Sequence, residues 1–378
     1  MTARPNVILA ALGLCSLPSL GQDAPPLEFA VISDVGNRDT TFDETRQPGW
    51  GGTNVGSVDY EYAIAVREVT VGEYFEFVLA YLPYYEARTG NSLGFFPFVG
   101  TSIQSSNGSA WILPGVSPDD PADMAWEYAA RYVNWLHNGK VIEAWAFDTG
   151  AYDTSTFVSN DAGEYQHQET RSPHARYWIP SADEWVKAAY WDPNGDGRYW
   201  RYPTSSNVEP IPGLLPQDGG ERNAGLTTPE LRWPLPVMSF NMTSPWGLYD
   251  TAGGVTEHSE TICPPGYPEL RGAYGSDHGD RHYGNPNSDD LLGASRNSDV
   301  RIGRVKFGLR LARTALAPAD LNLDGFVNFF DLSRFVALFL AGSVEADLND
   351  DLELNVFDIE IFIGLYALNS DRFTNSTK

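Results

Sequence analysis

WIPSADEWVKAAYWDP (178–193) is the stretch on which the fold turns. Ser181 and Glu184, three residues apart, form a capping box ahead of Trp185, Ala188 and Ala189, which predicts a helix start. The same signature recurs upstream, where Thr70 and Glu73 precede Tyr74, Phe77, Val78 and Tyr81. A third helix is expected from Asp120, with Pro121 at the first helical position. Ala125, Tyr128, Ala129, Tyr132 and Leu136 then supply its apolar face, and Gly139 its stop. Residues 22–57 show only weak periodicity, and long Gly/Pro/Asn-rich stretches with few regular strands separate the helices. The pattern predicts an α+β domain rich in irregular loops.

The chain has 378 residues, enough for one large domain and a small one. Hydrophobic residues make up 42% and aromatics 13%, a composition that packs a core. Fifty acidic against 25 basic residues give a net charge of −25. Such a surface argues against nucleic acid or anionic membrane as partner, and it suits solubility and cation binding. Residues 1–21 read as a signal peptide: Arg4, an apolar run from Val7 to Cys15, then Ser19-Leu20-Gly21 before a cut at Gln22. Leu14 stands where a lipoprotein signal needs a small residue, so Cys15 is not read as a lipid anchor. No later stretch is long and apolar enough for a membrane helix. A secreted or cell-surface location is expected. Cleavage leaves Cys263 as the one cysteine, so no internal disulfide is expected.

The C-terminus holds an internal repeat, DLNLDGFVNFFD (320–331) and DLNDDLELNVFD (347–358). Oxygen side chains stand at loop positions 1, 3, 5, 9 and 12: Asp320, Asn322, Asp324, Asn328 and Asp331, then Asp347, Asn349, Asp351, Asn355 and Asp358. Phe326 and Glu353 offer their carbonyls at position 7. This is EF-hand spacing, and two calcium ions are expected. Gly325 suits the sharp turn at position 6; Leu352 in the second loop predicts strain and weaker affinity. Each loop runs into an apolar helix, with Phe335, Val336 and Phe339 on one face of the first, and Ile361, Phe362 and Tyr366 on one face of the second.

The repeat resembles a type I dockerin over residues 318–368, a small all-α EF-hand-like module closed at position 12 by Asp; residues 369–378 are a tail. The resemblance implies folding on calcium and a cohesin-like protein or cell-surface scaffold as partner. It places partner contacts at loop positions 10 and 11, here Phe329, Phe330, Val356 and Phe357. These are large and apolar, unlike the small hydroxyl pairs of some dockerins.

Residues 22–314 resemble the formylglycine-generating enzyme (sulfatase-modifying factor) family, a loop-rich variant of the C-type lectin fold. The matching segments, in family order, are REVTVGEYFEFV (67–78), PADMAWEYAARYVNWL (121–136), the opening stretch, SPWGLYDTAGGVTEH (244–258), LRGAYG (270–275) and KFGLRLAR (306–313). The family's oxidase uses two cysteines as copper ligands after its RGGSW-like segment. Here RGAYGSDHGDRHYGN (271–285) has none, so neither copper nor formylglycine-generating activity is expected. In the family's internal calcium segment Gly254 replaces an Asn ligand and His258 a Trp. His278, Asp280 and His282 form H-x-D-x-H, with Glu257 and His258 as candidate neighbours. They read either as a polar loop lining a vacated pocket or as ligands for Zn, Fe or Cu. Asp192, Asn194, Asp196 and Gly197 begin a further calcium-like loop, but Trp200 and Pro203 cannot complete it, so an Asx turn is expected. Tyr199, Trp200 and Tyr202 read as core, or as a platform for a flat ligand. The functional expectation is an exported calcium-binding protein whose large domain binds a carbohydrate or peptide ligand rather than catalysing. The alternative is a His-ligated, non-heme, metal-dependent oxidoreductase on the same fold.

Overall fold

The computed structural model describes residues 27–45, 54–90, 96–157, 167–195, 197–213, 219–222, 235–262, 270–274, 295–299, 307–315, 319–322, 327–343, 346, 348 and 354–374. In chain order the elements begin with β1 (Phe29–Ile32), α1 (Phe42–Thr45), β2 (Tyr62–Ala65), α2 (Val71–Thr89) and α3 (Phe96–Val99). The hairpin β3 (Ile103–Ser106) and β4 (Ser109–Ile112) follows, then α4 (Trp126–His137), α5 (Ala144–Asp148), β5 (Tyr177–Trp178) and α6 (Ala182–Tyr190). Next come β6 (Thr256–Ile262), β7 (Leu270–Tyr274), β8 (Ser295–Asp299), β9 (Phe307–Gly308) and β10 (Ala312–Thr314). Two helices close the chain, α7 (Phe329–Leu340) and α8 (Val356–Thr374).

Both expected capping boxes form. Thr70 and Glu73 exchange side-chain and backbone bonds at the start of α2, and Ser181 with Glu184 does the same for α6. Glu73 is also gripped by the guanidinium of Arg67 at 2.8 and 3.0 Å. The start of α4 differs from the expectation. Its N-cap is Ala125, not Asp120, and Pro121 lies outside the helix, bridged to Thr70. The reason is tertiary. The backbone of residues 120–124 is consumed by other elements: Val71 N–H donates to Asp120 O, Ala122 N–H to Val69 O, and Met124 N–H to Phe307 O.

Strands are more numerous than the sequence signals. One antiparallel sheet runs β1-β2-β10-β5; a second runs β8-β7-β6-β9, with β6 and β9 parallel. Most of these strands span two to five residues, too short to display a period of two. The main core lies between α2, α4 and the first sheet, around Phe77, whose ring meets Tyr74, Tyr81, Phe98, Tyr132, Trp135 and Phe147 within 6.4 Å. A separate small core joins Ala319, Val327, Phe335, Ala346 and Phe362, with the Phe335 and Phe362 rings stacked at 4.4 Å. Val336 does not share that face; it is exposed, whereas Leu332 and Leu338 pack inward.

Candidate functional site

The two C-terminal repeats build similar local geometry, differing in which early loop N–H the closing aspartate takes, at position 3 in the first and position 2 in the second. Asn328 caps α7, its side-chain oxygen accepting from Phe330 N–H at 2.8 Å. Asp331 accepts from Asn328 N–H at 2.8 Å with one carboxylate oxygen and from Asn322 N–H at 3.0 Å with the other. In the second repeat Asn355 accepts from Phe357 N–H, and Asp358 accepts from Asn355 and Leu348 N–H, both at 2.9 Å. Asp320, Asp331 and Asp358 are buried. Each position-12 carboxylate therefore ties the helix start back to the opening of its loop. Asp324, Phe326, Asp347, Asn349, Asp351 and Glu353 lie outside the described residues. Among the described residues no three His, Cys, Asp or Glu converge as a metal cluster. Phe329, Phe330, Val356 and Phe357, at positions 10 and 11, are 57–69% exposed and take no part in the small core.

In the large domain, β6 separates two candidate ligands. Glu257 receives the guanidinium of Arg310 on both oxygens, at 2.7 to 3.0 Å, and the indole N–H of Trp185. His258 sits 2.8 Å from the Met124 carbonyl through Nε2, which makes Nε2 the donor. Burial lowers its pKa to about 4, so the ring is neutral. The two side chains are thus bound to different parts of the core and do not form one site. His278, Asp280 and His282 lie outside the described residues.

The replacement at Gly254 has a structural partner. Glu68 is fully buried, and its Oε1 accepts from Val255 N–H at 2.9 Å. A Cβ on Gly254 would meet that oxygen at 2.1 Å, and Gly254 has φ +63°. Glu68 thus occupies the space that a side chain at 254 needs. Its Oε2 has no hydrogen-bond partner, and burial, with Asp250 and Glu257 nearby, raises its pKa well above the usual carboxylate value. Burial thus favours the neutral acid at Glu68.

The stretch from Asp192 forms the expected Asx turn. Asp192 Oδ1 accepts from Asn194 N–H at 3.0 Å, and Oδ2 pairs with Arg198 at 3.3 Å. Asp196 lies outside the described residues. Tyr199 and Tyr202 are buried, and Trp200 is half-buried under the Arg198 guanidinium at 4.1 Å.

A cavity that no local motif signals opens beside β5, with a volume of about 490 Å³. Its walls come from four segments: Tyr60 and Glu61, residues 170–178, Glu260 and Thr314. Arg171 is the hub. Its guanidinium lies 4.2 Å from the centre of the Trp178 ring and bonds Glu184 at 2.8 Å, Glu260, and the Tyr60 hydroxyl at 2.9 Å. The Tyr60 hydroxyl in turn donates to Glu184 at 2.9 Å. Burial pushes the Glu260 carboxyl up to about 7, against the opposing pull of Arg171. Only the third dimension assembles these residues, so neither spacing nor composition reveals them.

The chain belongs to the sulfatase-modifying factor enzyme 1-like domain family, which matches residues 36–315. Comparison with curated protein sequences gives no match. Solved structures similar to it include CarF, 17% identical, with 76% of this chain and 98% of CarF covered and a TM-score of 0.44. Treponema denticola variable protein 1 is 17% identical, with 75% and 94% covered and a TM-score of 0.44. PvdO from Pseudomonas aeruginosa is 18% identical, with 75% and 93% covered and a TM-score of 0.41.

Proposed function

We propose that this is an exported two-module protein, in which a non-catalytic, ligand-binding large domain is tethered through a calcium-folded, dockerin-like tail to a cohesin-type or cell-surface partner. The observation that carries the reading is the repeated geometry of the tail. In both repeats a buried position-12 aspartate closes the loop onto its helix, and the next side chains outward are two large apolar ones with no place in the core. The donor set suits calcium: the ligand positions offer oxygen only. When bound, calcium offsets the repulsion among the loop carboxylates. The exposed Phe329, Phe330, Val356 and Phe357 are the surface assigned to the partner.

Three features support binding over catalysis in the large domain. After residue 21 the sequence has one cysteine, Cys263, which cannot supply a thiolate pair for copper. Glu257 is committed to Arg310, and His258 to the Met124 carbonyl. The N-terminal 21 residues are assigned as the export signal on their sequence pattern.

Hydrogen exchange of the full mature chain, with and without a calcium chelator, tests the reading. Chelation is expected to abolish amide protection across 319–374 while leaving 28–315 unchanged. Equal protection of the tail in both conditions would sink the calcium-folding claim. Stoichiometric zinc, iron or copper in the purified protein would favour the oxidoreductase instead.

A further inference from the structure

The cavity around Arg171 faces solvent, and its lining has three properties that together narrow the ligand. The first is a fixed platform. Tyr60 is 42% exposed, yet its hydroxyl is held between Arg171 and Glu184 at 2.9 Å each. An aromatic ring that is exposed but already immobilised gives up little entropy when something stacks on it. The second is mixed polarity. The Arg171–Glu260 ion pair lines the wall, and Glu61, Thr170 and Ser172 are the other polar residues that line it. The third is the sign of the charge. Glu184 and Glu260 both pair with Arg171, and Glu61 lines the same cavity, in a chain of net charge −25. An anionic ligand would meet repulsion, and an ammonium would meet the guanidinium on the same wall.

A neutral sugar ring satisfies all three. One face of a pyranose is a sheet of C–H groups that stacks on tyrosine, and its rim carries hydroxyls that both donate and accept. The volume of about 490 Å³ falls within the roughly 300–1,000 Å³ of small-molecule sites. We infer that the Arg171 cavity is a saccharide-binding site for neutral glycans, with Tyr60 as the stacking platform and Arg171, Glu61 and Glu260 as hydroxyl partners. Glu260 is held in place at the back of the cavity, accepting from Arg171 with one oxygen and from the Tyr152 hydroxyl at 3.0 Å with the other. The inference rests on the large domain being a binding module and is independent of the calcium tail.

The full mature chain, labelled and probed on an array of neutral, uronic-acid and sulfated glycans, tests it. Binding is expected on neutral glycans, with at least tenfold weaker signal on acidic ones. Tyr60→Ala should lose that binding at least tenfold, and Tyr60→Phe, which keeps the ring, should retain most of it. Thermal unfolding of both variants verifies that the domain remains folded; should Tyr60→Ala unfold, Glu61→Gln, an exposed change, takes its place with a several-fold loss expected. No neutral glycan bound, acidic glycans bound preferentially, or neutral binding untouched by both substitutions would each overturn the site. Hydrolysis or oxidation of a bound glycan would leave the site standing and overturn the non-catalytic reading.

Discussion

Glu68 and His258 are buried titratable groups whose protonation opposes each other in pH. The folded state holds Glu68 protonated, with a pKa above the unfolded value of about 4.5. Its contribution is present at low pH and lost as pH rises through the folded pKa. Glu68→Gln, which keeps the shape and removes the charge, should flatten the decline of Tm between pH 5 and pH 8; parallel wild-type and variant curves would refute the assignment. His258 behaves in the opposite sense. Its folded pKa of about 4 lies below the ordinary value of 6.5, so its stability is full above 6.5 and falls as pH drops. Denaturant titrations should show a cost of about 2 kcal/mol between pH 7 and pH 5, absent in His258→Gln, given about 1.4 kcal/mol per pH unit. Neither environment is legible in the sequence. Glu68 sits one residue inside the REVTVGEYFEFV segment, and nothing local announces that Gly254, 186 residues later, makes room for it.

Helix starts were the elements the sequence specified best, because a capping box is complete within four residues. Ser181→Ala removes one such bond and should cost about 1 kcal/mol in urea unfolding. Glu184→Ala should cost several times more, roughly 3–5 kcal/mol, because Glu184 also holds Arg171, Trp178 and Tyr60. Similar losses from the two would mean that Glu184 acts only as a cap. Pro121 shows the limit of the same logic: a good N-terminal signal yields where neighbouring strands take up the backbone hydrogen bonds. In the tail, the repeat and its position-12 aspartates were readable from spacing, and so was the apolar character of positions 10 and 11. That the latter point outward, and that Val336 does too, depends on how α7 meets α8. Between the repeats, Asp320→Ala should weaken calcium binding more than Asp347→Ala, since the sequence has glycine, Gly325, at position 6 of the first repeat and Leu352 at that position of the second. Calorimetry giving equal losses would reject that ranking.

Across the whole molecule, the fold family was readable from six ordered segments, whereas the Arg171 cavity was not, being drawn from four distant ones. The cysteine count carries its own prediction. Incubated with copper and a cysteine-containing sulfatase peptide, the mature protein should leave the peptide cysteine unconverted; turnover would show that other groups replace the missing thiolate pair. The first sheet adds a mechanical consequence. β10, the last strand before the tail, lies between β2 and β5, pairing Ala312 with both Ile64 and Trp178 and Arg313 with both Ala63 and Tyr177. Any pull transmitted along the chain from the C-terminal helices reaches the large domain through this strand. An edge strand peels away one bond at a time, but β10 cannot move without breaking two ladders at once. The small core after it has five buried apolar residues among those described, so under force that core is expected to give way before the doubly paired strand does.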